Sequence, residues 1–188
     1  MYIEIEKKAI ITATRRAELC DSFAALYGEG KPIRREDYYL INKLKQEVRV
    51  SIVNYLKEAH TEIELTYKDR IRQDMVEVNL EYILICNNST EDVLNFWKAL
   101  DFTFLYKKIK KYIEFKSPIF KIALVDTIEW EDKQQQIHYI PNSYLEVECL
   151  LLDDISLAQE QIDALFKDLK LDKIEEKRYI ELVKKYNG

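Results

Sequence analysis

The chain has 188 residues, 47% of them hydrophobic, which suits one domain with a real core. Charged residues make up 34% yet the net charge is only −5. That near-cancellation argues against a general nucleic-acid or membrane-surface binder. No stretch is long and apolar enough to span a bilayer. Cys20, Cys86 and Cys149 are far apart without CxxC spacing and read as small buried apolar residues. The opening MYIEIEKK has acids and no apolar run, unlike a secretory signal. The expectation is a cytoplasmic protein, a single domain over 1–188, monomeric or homodimeric.

Tyr2 to Ile11 alternates, with Glu4, Glu6 and Lys8 on one side and Ile3 and Ile5 on the other, which predicts a strand. From Thr14 to Tyr27 the period becomes helical, through Leu19, Cys20, Phe23 and Leu26, and Gly28 ends the run. Strands are predicted at Ile33–Asn42, Glu47–Tyr55, Thr61–Asp69 and Met75–Cys86. Asn88 and Ser89 read as a cap for a helix over Thr90–Asp101, with Val93, Phe96, Trp97 and Leu100 as its stripe. Further strands are predicted at Phe102–Lys116, Phe120–Trp130 and Ser143–Leu152, and Glu131–Asn142 reads as a polar hairpin loop. Ser156 and Gln159 suggest a capping box before a helix carrying Ile162, Leu165, Phe166 and Leu169, and Lys177–Tyr186 suggests a short final helix. The order is strand, helix, three strands, twice over, then helices. This predicts an α+β fold: an antiparallel barrel of about eight strands with helices packed outside.

The polar faces of these strands carry Glu4, Glu6 and Lys8; Glu62, Glu64, Thr66 and Lys68; Glu77, Asn79 and Glu81; Lys108 and Lys110; Glu146 and Glu148. Alternating strands ordinarily turn such faces to water. Glu and Lys are poor strand formers, however, and their recurrence on strand after strand suits an inverted barrel with a charged lumen. Paired carboxylates suit a hard divalent cation, and lysines and arginines suit phosphate oxygens. A metal–polyphosphate complex needs both. The histidines, His60 and His138, fall in predicted turns and are expected at the surface.

Several stretches resemble, in order, the motifs of the CYTH superfamily, the triphosphate tunnel metalloenzymes. Glu4-Ile5-Glu6-Lys7-Lys8 resembles its ExExK signature, Asp37-Tyr38-Tyr39 its DxY strand and Leu65-Thr66-Tyr67-Lys68 its LTxK strand. Val125-Asp126-Thr127-Ile128 resembles its late aspartate strand, Tyr144–Glu148 its second ExE and Arg178–Leu182 its closing SYxELL. The resemblance implies a small-molecule triphosphate as ligand, with Mg²⁺ or Mn²⁺, and no nucleic acid or membrane partner. It implies one cation on Glu4, Glu6 and Glu148 and a second on Asp126 and Glu146. It implies phosphate contacts from Lys8, Arg49, Lys68, Lys108 and Lys110, proton handling by Tyr39 and Lys68, and a lumen position for Glu81. The family's RxR on strand three is here Arg49-Val50-Ser51, and Glu77, Asn79 and Glu81 stand where strand five usually has an arginine, so a less basic lumen is expected. Hydrolysis of the triphosphate is the first expectation. A cyclase of the class IV adenylyl type and a non-catalytic polyphosphate or nucleotide binder are the alternatives.

Overall fold

A computed structural model describes residues 2–73, 76–149, 155–179, 181, 182 and 185. The elements run β1 (Tyr2–Ile11), α1 (Ala13–Tyr27), β2 (Lys31–Ile41), β3 (Glu47–Tyr55), β4 (His60–Gln73) and β5 (Val76–Cys86). They continue with α2 (Thr90–Ala99), β6 (Thr103–Lys116), β7 (Phe120–Glu131), β8 (Ile137–Ile140), β9 (Ser143–Cys149) and α3 (Ile155–Asp168). Thr12 caps α1 by accepting from the Arg15 N–H at 3.1 Å, and Gly28 closes it at φ 85°, a conformation open to a residue without Cβ. Ser89 caps α2 as expected, accepting from the Asp92 N–H at 3.1 Å.

All strand pairings are antiparallel, in the order β6-β2-β3-β4-β5-β1-β9-β7-β8, and β6 pairs in addition with β7. Every strand but β8 therefore has a hydrogen-bonded neighbour on each side, and the pairing runs in a ring. β8 lies along β7 at Ile128–Glu131, past the stretch that β7 shares with β9. Among the described strands this leaves only β8 with an unpaired margin.

β8 falls within Glu131–Asn142, which the sequence pattern reads as loop. The Asp132 carboxylate accepts from the backbone N–H groups of Gln134 and Gln136, both at 2.9 Å, and Gln135 takes φ 62°. Asn42 builds the same turn between β2 and β3, accepting from Leu44 and Gln46 N–H at 3.0 Å, with Lys45 at φ 62°. The polar run is thus a tight turn followed by a strand. Ser156 is the second residue of α3, not the cap ahead of it. Residues 150–152, the expected end of the last strand, lie outside the described residues. The expected final helix is present at its described positions, Tyr179, Glu181, Leu182 and Lys185, with the Glu181 and Leu182 N–H groups donating to the Arg178 carbonyl.

The outer face of the ring packs on the helices. Ile5, Ala9, Ile122, Leu124, Leu145 and Val147 meet Leu19 and Phe23 of α1 and Ala158, Ile162 and Phe166 of α3. Val48, Val50 and Ile63 meet Val93 of α2. Each large apolar side chain buried in this way contributes about 1.5–3 kcal/mol. The opposite face looks into the barrel. One part of that interior is itself apolar: Tyr39, Tyr106, Val125, Trp130 and Tyr144 cluster there with Leu182 of the C-terminal segment. The interior therefore combines the expected charges with an aromatic core.

Candidate functional site

Strand register brings the charged side chains together. Glu6 lies opposite Glu148, and Lys8 opposite Glu146, across β1 and β9. Asp37, Ser51 and Glu64 share one row across β2, β3 and β4, and Asp37 lies opposite Lys108 on β6. Lys121 on β7 lies opposite Glu148.

One cluster centres on Arg35. Its guanidinium donates to Asp37 Oδ1 (2.8 Å), Glu64 Oε2 (2.8 Å) and Ser51 Oγ (2.9 Å). Ser51 Oγ donates in turn to Asp37 Oδ1 at 2.7 Å, and Lys108 Nζ sits 3.0 Å from Asp37 Oδ2. Burial opposes ionisation of Asp37, but Lys108, Arg35 and Arg49 outweigh it and hold the carboxyl well below its usual range. Burial likewise opposes the charge on Lys108, and Tyr39 and Asp37 more than offset it, raising its pKa. Ser51, where the resemblance leads one to expect a second arginine, thus receives a guanidinium from the neighbouring strand. The lumen is more basic here than strand three alone suggests.

A second cluster holds the acids of β9. Lys110 Nζ donates to Glu146 Oε2 at 2.5 Å, the Tyr179 hydroxyl donates to Glu146 Oε1, and Lys121 Nζ donates to Glu148 Oε2 at 2.9 Å. Burial pushes the Glu146 pKa up, yet Lys110 and the Tyr179 hydroxyl bring it below the usual value. Burial lowers the pKa of the Lys121 ammonium, and Glu148 and Glu114 raise it further than burial lowers it.

Lys8 differs from these. It is 7% exposed, and its ammonium lies 5.5 Å from the Tyr179 ring centre. Its side chain forms no ion pair or hydrogen bond among the described residues. Arg49 donates to Thr66 Oγ1 at 3.2 Å and, with Tyr39, Thr66 and Tyr67, lines a cleft of ≈ 290 Å³ under the β2–β3 turn.

Tyr39 belongs to an aromatic ladder: its ring stacks on Tyr106 at 4.2 Å and Tyr106 on Trp130 at 3.8 Å. Its hydroxyl accepts from Lys108 at 3.2 Å. Lys108 therefore stands beside Tyr39. The side chains of Glu4, Lys68 and Glu81 lie outside the described residues.

Asp126 does not join the other acids. A bulge in the β6–β7 pairing sets Lys111 opposite Thr127 and Tyr112 opposite Val125, leaving Asp126 as the extra residue. Its side chain is 53% exposed and lies 3.8 Å from Arg16 of α1, on the helix side of the sheet. Among the described residues no group of three or more His, Cys, Asp or Glu converges as a metal site. Of the acids expected to hold a cation, register sets Glu6 directly opposite Glu148, a carboxylate pair of the kind that suits a hard cation. His60 is at the surface against Glu62, as expected, and His138 is half-buried against Asp132.

Sequence reasoning passed over Arg35, Glu114, Lys121 and Tyr179 as site residues. Arg35 shares the inward parity of Asp37 and Tyr39. Lys121 is the lone charge in the apolar run Phe120–Val125. These were the available signals.

No family model matches the sequence, and no curated protein matches it significantly. Solved structures do match. The PH1819 protein of Pyrococcus horikoshii OT3 superposes with TM-score 0.74 at 20% identity, over 97% of this chain and 98% of that one. A chain of the Schizosaccharomyces pombe Mediator head module gives 0.69 at 13% identity, over 92% and 98%. The Mimivirus capping enzyme triphosphatase gives 0.56 at 13% identity, over 90% of each chain. A candidate adenylate cyclase from Bacillus halodurans gives 0.51 at 12% identity, over 96% and 98%. At these identities the likeness establishes the fold alone: an antiparallel β-barrel with helices packed outside, as the sequence predicted. Among the described residues no helix is long and apolar enough to cross a membrane.

Proposed function

We propose that this chain takes the triphosphate group of a small molecule into its barrel and hydrolyses it with a divalent cation, Mg²⁺ or Mn²⁺. Lys8 carries this reading. A buried ammonium without a counter-anion is costly, and a phosphate entering the lumen supplies that anion. Lys108, Lys110 and Arg49 extend the cationic lining. A cation on Glu6 and Glu148, with Glu4 on the same strand face, would neutralise phosphate charge and lower the pKa of bound water. The protein's part is to orient the chain of phosphates and hold it away from bulk water. The triphosphatase and cyclase activities named for two of the structural neighbours accord with this reading, and the cyclase reaction is its runner-up within the same lumen.

A second reading, binding without turnover, is favoured by one observation: Glu146 and Glu148 already have lysine partners. One screen separates the three. Tripolyphosphate, nucleoside triphosphates and thiamine triphosphate are each supplied with Mg²⁺ and with Mn²⁺. Orthophosphate, pyrophosphate and cyclic nucleotide are followed together. Orthophosphate release that disappears in Glu6→Gln and Glu148→Gln supports the hydrolase. Pyrophosphate with a cyclic nucleotide supports the cyclase, and saturable binding without product supports the binder.

A further inference from the structure

Resting on that reading, we infer that Lys121 and Lys110 act as built-in counter-cations, so that cation and polyanion enter this barrel only together, by an exchange of ion-pair partners. The interior sets cation against carboxylate: Lys121 on Glu148, Lys110 on Glu146, and Arg35 and Lys108 on Asp37. A divalent cation arriving alone meets a carboxylate whose oxygen is held by Lys121 at 2.9 Å, and must displace that ammonium into a lumen with no new anion for it. A triphosphate arriving alone finds Lys8 unmatched, but Lys110 and Lys121 are already held by carboxylates, so most of its negative charge enters a partly desolvated interior uncompensated. When both arrive, the carboxylates pass to the cation and the ammonium groups pass to the phosphate oxygens. Each exchanging charge keeps a partner throughout. Lys121 is well placed for the exchange, because a primary ammonium has three donors and rotates on a flexible stem. Glu114 lies close enough to influence it, alongside Glu148.

The exchange makes a thermodynamic statement. The affinity for each component rises in the presence of the other, by the same factor. The experiment measures binding to the wild-type chain of Mn²⁺ alone, of tripolyphosphate alone in chelator, and of the Mn²⁺–tripolyphosphate complex, by calorimetry and by the Mn²⁺ paramagnetic resonance signal. The expected result is saturable binding of the complex at concentrations about tenfold or more below those at which either component binds alone. Lys121→Met should then bind Mn²⁺ alone about tenfold more tightly than the wild type, because the ammonium that competes with the cation for Glu148 is removed. Lys121→Met combined with Glu148→Gln should lose that gain. If the single variant does not fold, the wild-type measurements decide alone. Tight uptake of Mn²⁺ by itself, or equal affinity for tripolyphosphate with and without metal, overturns the exchange while leaving the triphosphate reading in place. Failure of the complex to bind overturns both.

Discussion

Replacing Lys8 by Met should weaken triphosphate binding and stabilise the empty barrel at the same time. Met keeps the length and apolar stem of lysine and removes only the charge. In the unliganded chain the Lys8 ammonium is buried, with the Tyr179 ring at 5.5 Å and no carboxylate partner among the described residues. A cation–π contact contributes about 0.5–2 kcal/mol, less than the several kcal/mol that desolvating an ammonium costs. Losing both should leave the empty protein more stable by about 1 kcal/mol, a rise in Tm of roughly 2–4 °C for a chain of this size. With ligand bound the sign reverses. Truncating one side of a desolvated charge pair costs about 2–5 kcal/mol, or roughly 30-fold or more in affinity. Thermal melts of the apo protein and calorimetry with Mg²⁺-tripolyphosphate give the two numbers. A Tm several degrees below wild type together with unchanged affinity would make Lys8 a structural residue and refute the argument.

Arg35→Met should destabilise the fold by about 3–5 kcal/mol, lowering Tm by more than about 6 °C, because Asp37 and Glu64 lose the guanidinium they share. The Asp37 carboxyl is held below its usual range, so its contribution to stability is complete above the unfolded pKa of about 3.9 and is lost as pH falls through the lower folded value. Wild-type stability should therefore drop on acidification below about pH 4, and Asp37→Asn should show a shallower decline in denaturant titrations across that window. Gly30→Ala should cost about 1–3 kcal/mol in chemical unfolding, since its new Cβ would lie 2.4 Å from Ile113 Cγ2 and 2.6 Å from the Phe115 ring.

The architecture was legible because the strands alternate cleanly. β1 and β3 begin and end where the pattern says, and the strand–helix–three-strand order recurs in both halves, with β8 added. β8 was hidden because a turn built on the Asp132 carboxylate has the composition of a loop. The site was legible as an inventory of charges but not as a set of pairs. Parity places Glu146, Glu148 and Lys8 on one face, yet only register reveals that Lys121 stands opposite Glu148 and that Arg35 reaches Ser51. Asp126 shows the limit of parity in the other direction. A one-residue bulge, invisible in the pattern, turns it away from the lumen.

The position of β1 also bears on how the chain is made. Its partners are β5 on one side and β9 on the other, so the earliest of these nine strands to be synthesised waits for the ninth before its ladder is complete. Until residues 143–149 emerge, the nascent protein carries an open sheet margin along Ile5–Ile11, and closing it spans most of the chain. That margin bears Glu6, Lys7 and Lys8 in succession. Charges on an unpaired strand discourage pairing with a neighbouring nascent chain. Glu6 and Lys8, which turn into the barrel, thus carry charge on its half-made margin as well, while Lys7 turns outward to Asp163 of α3.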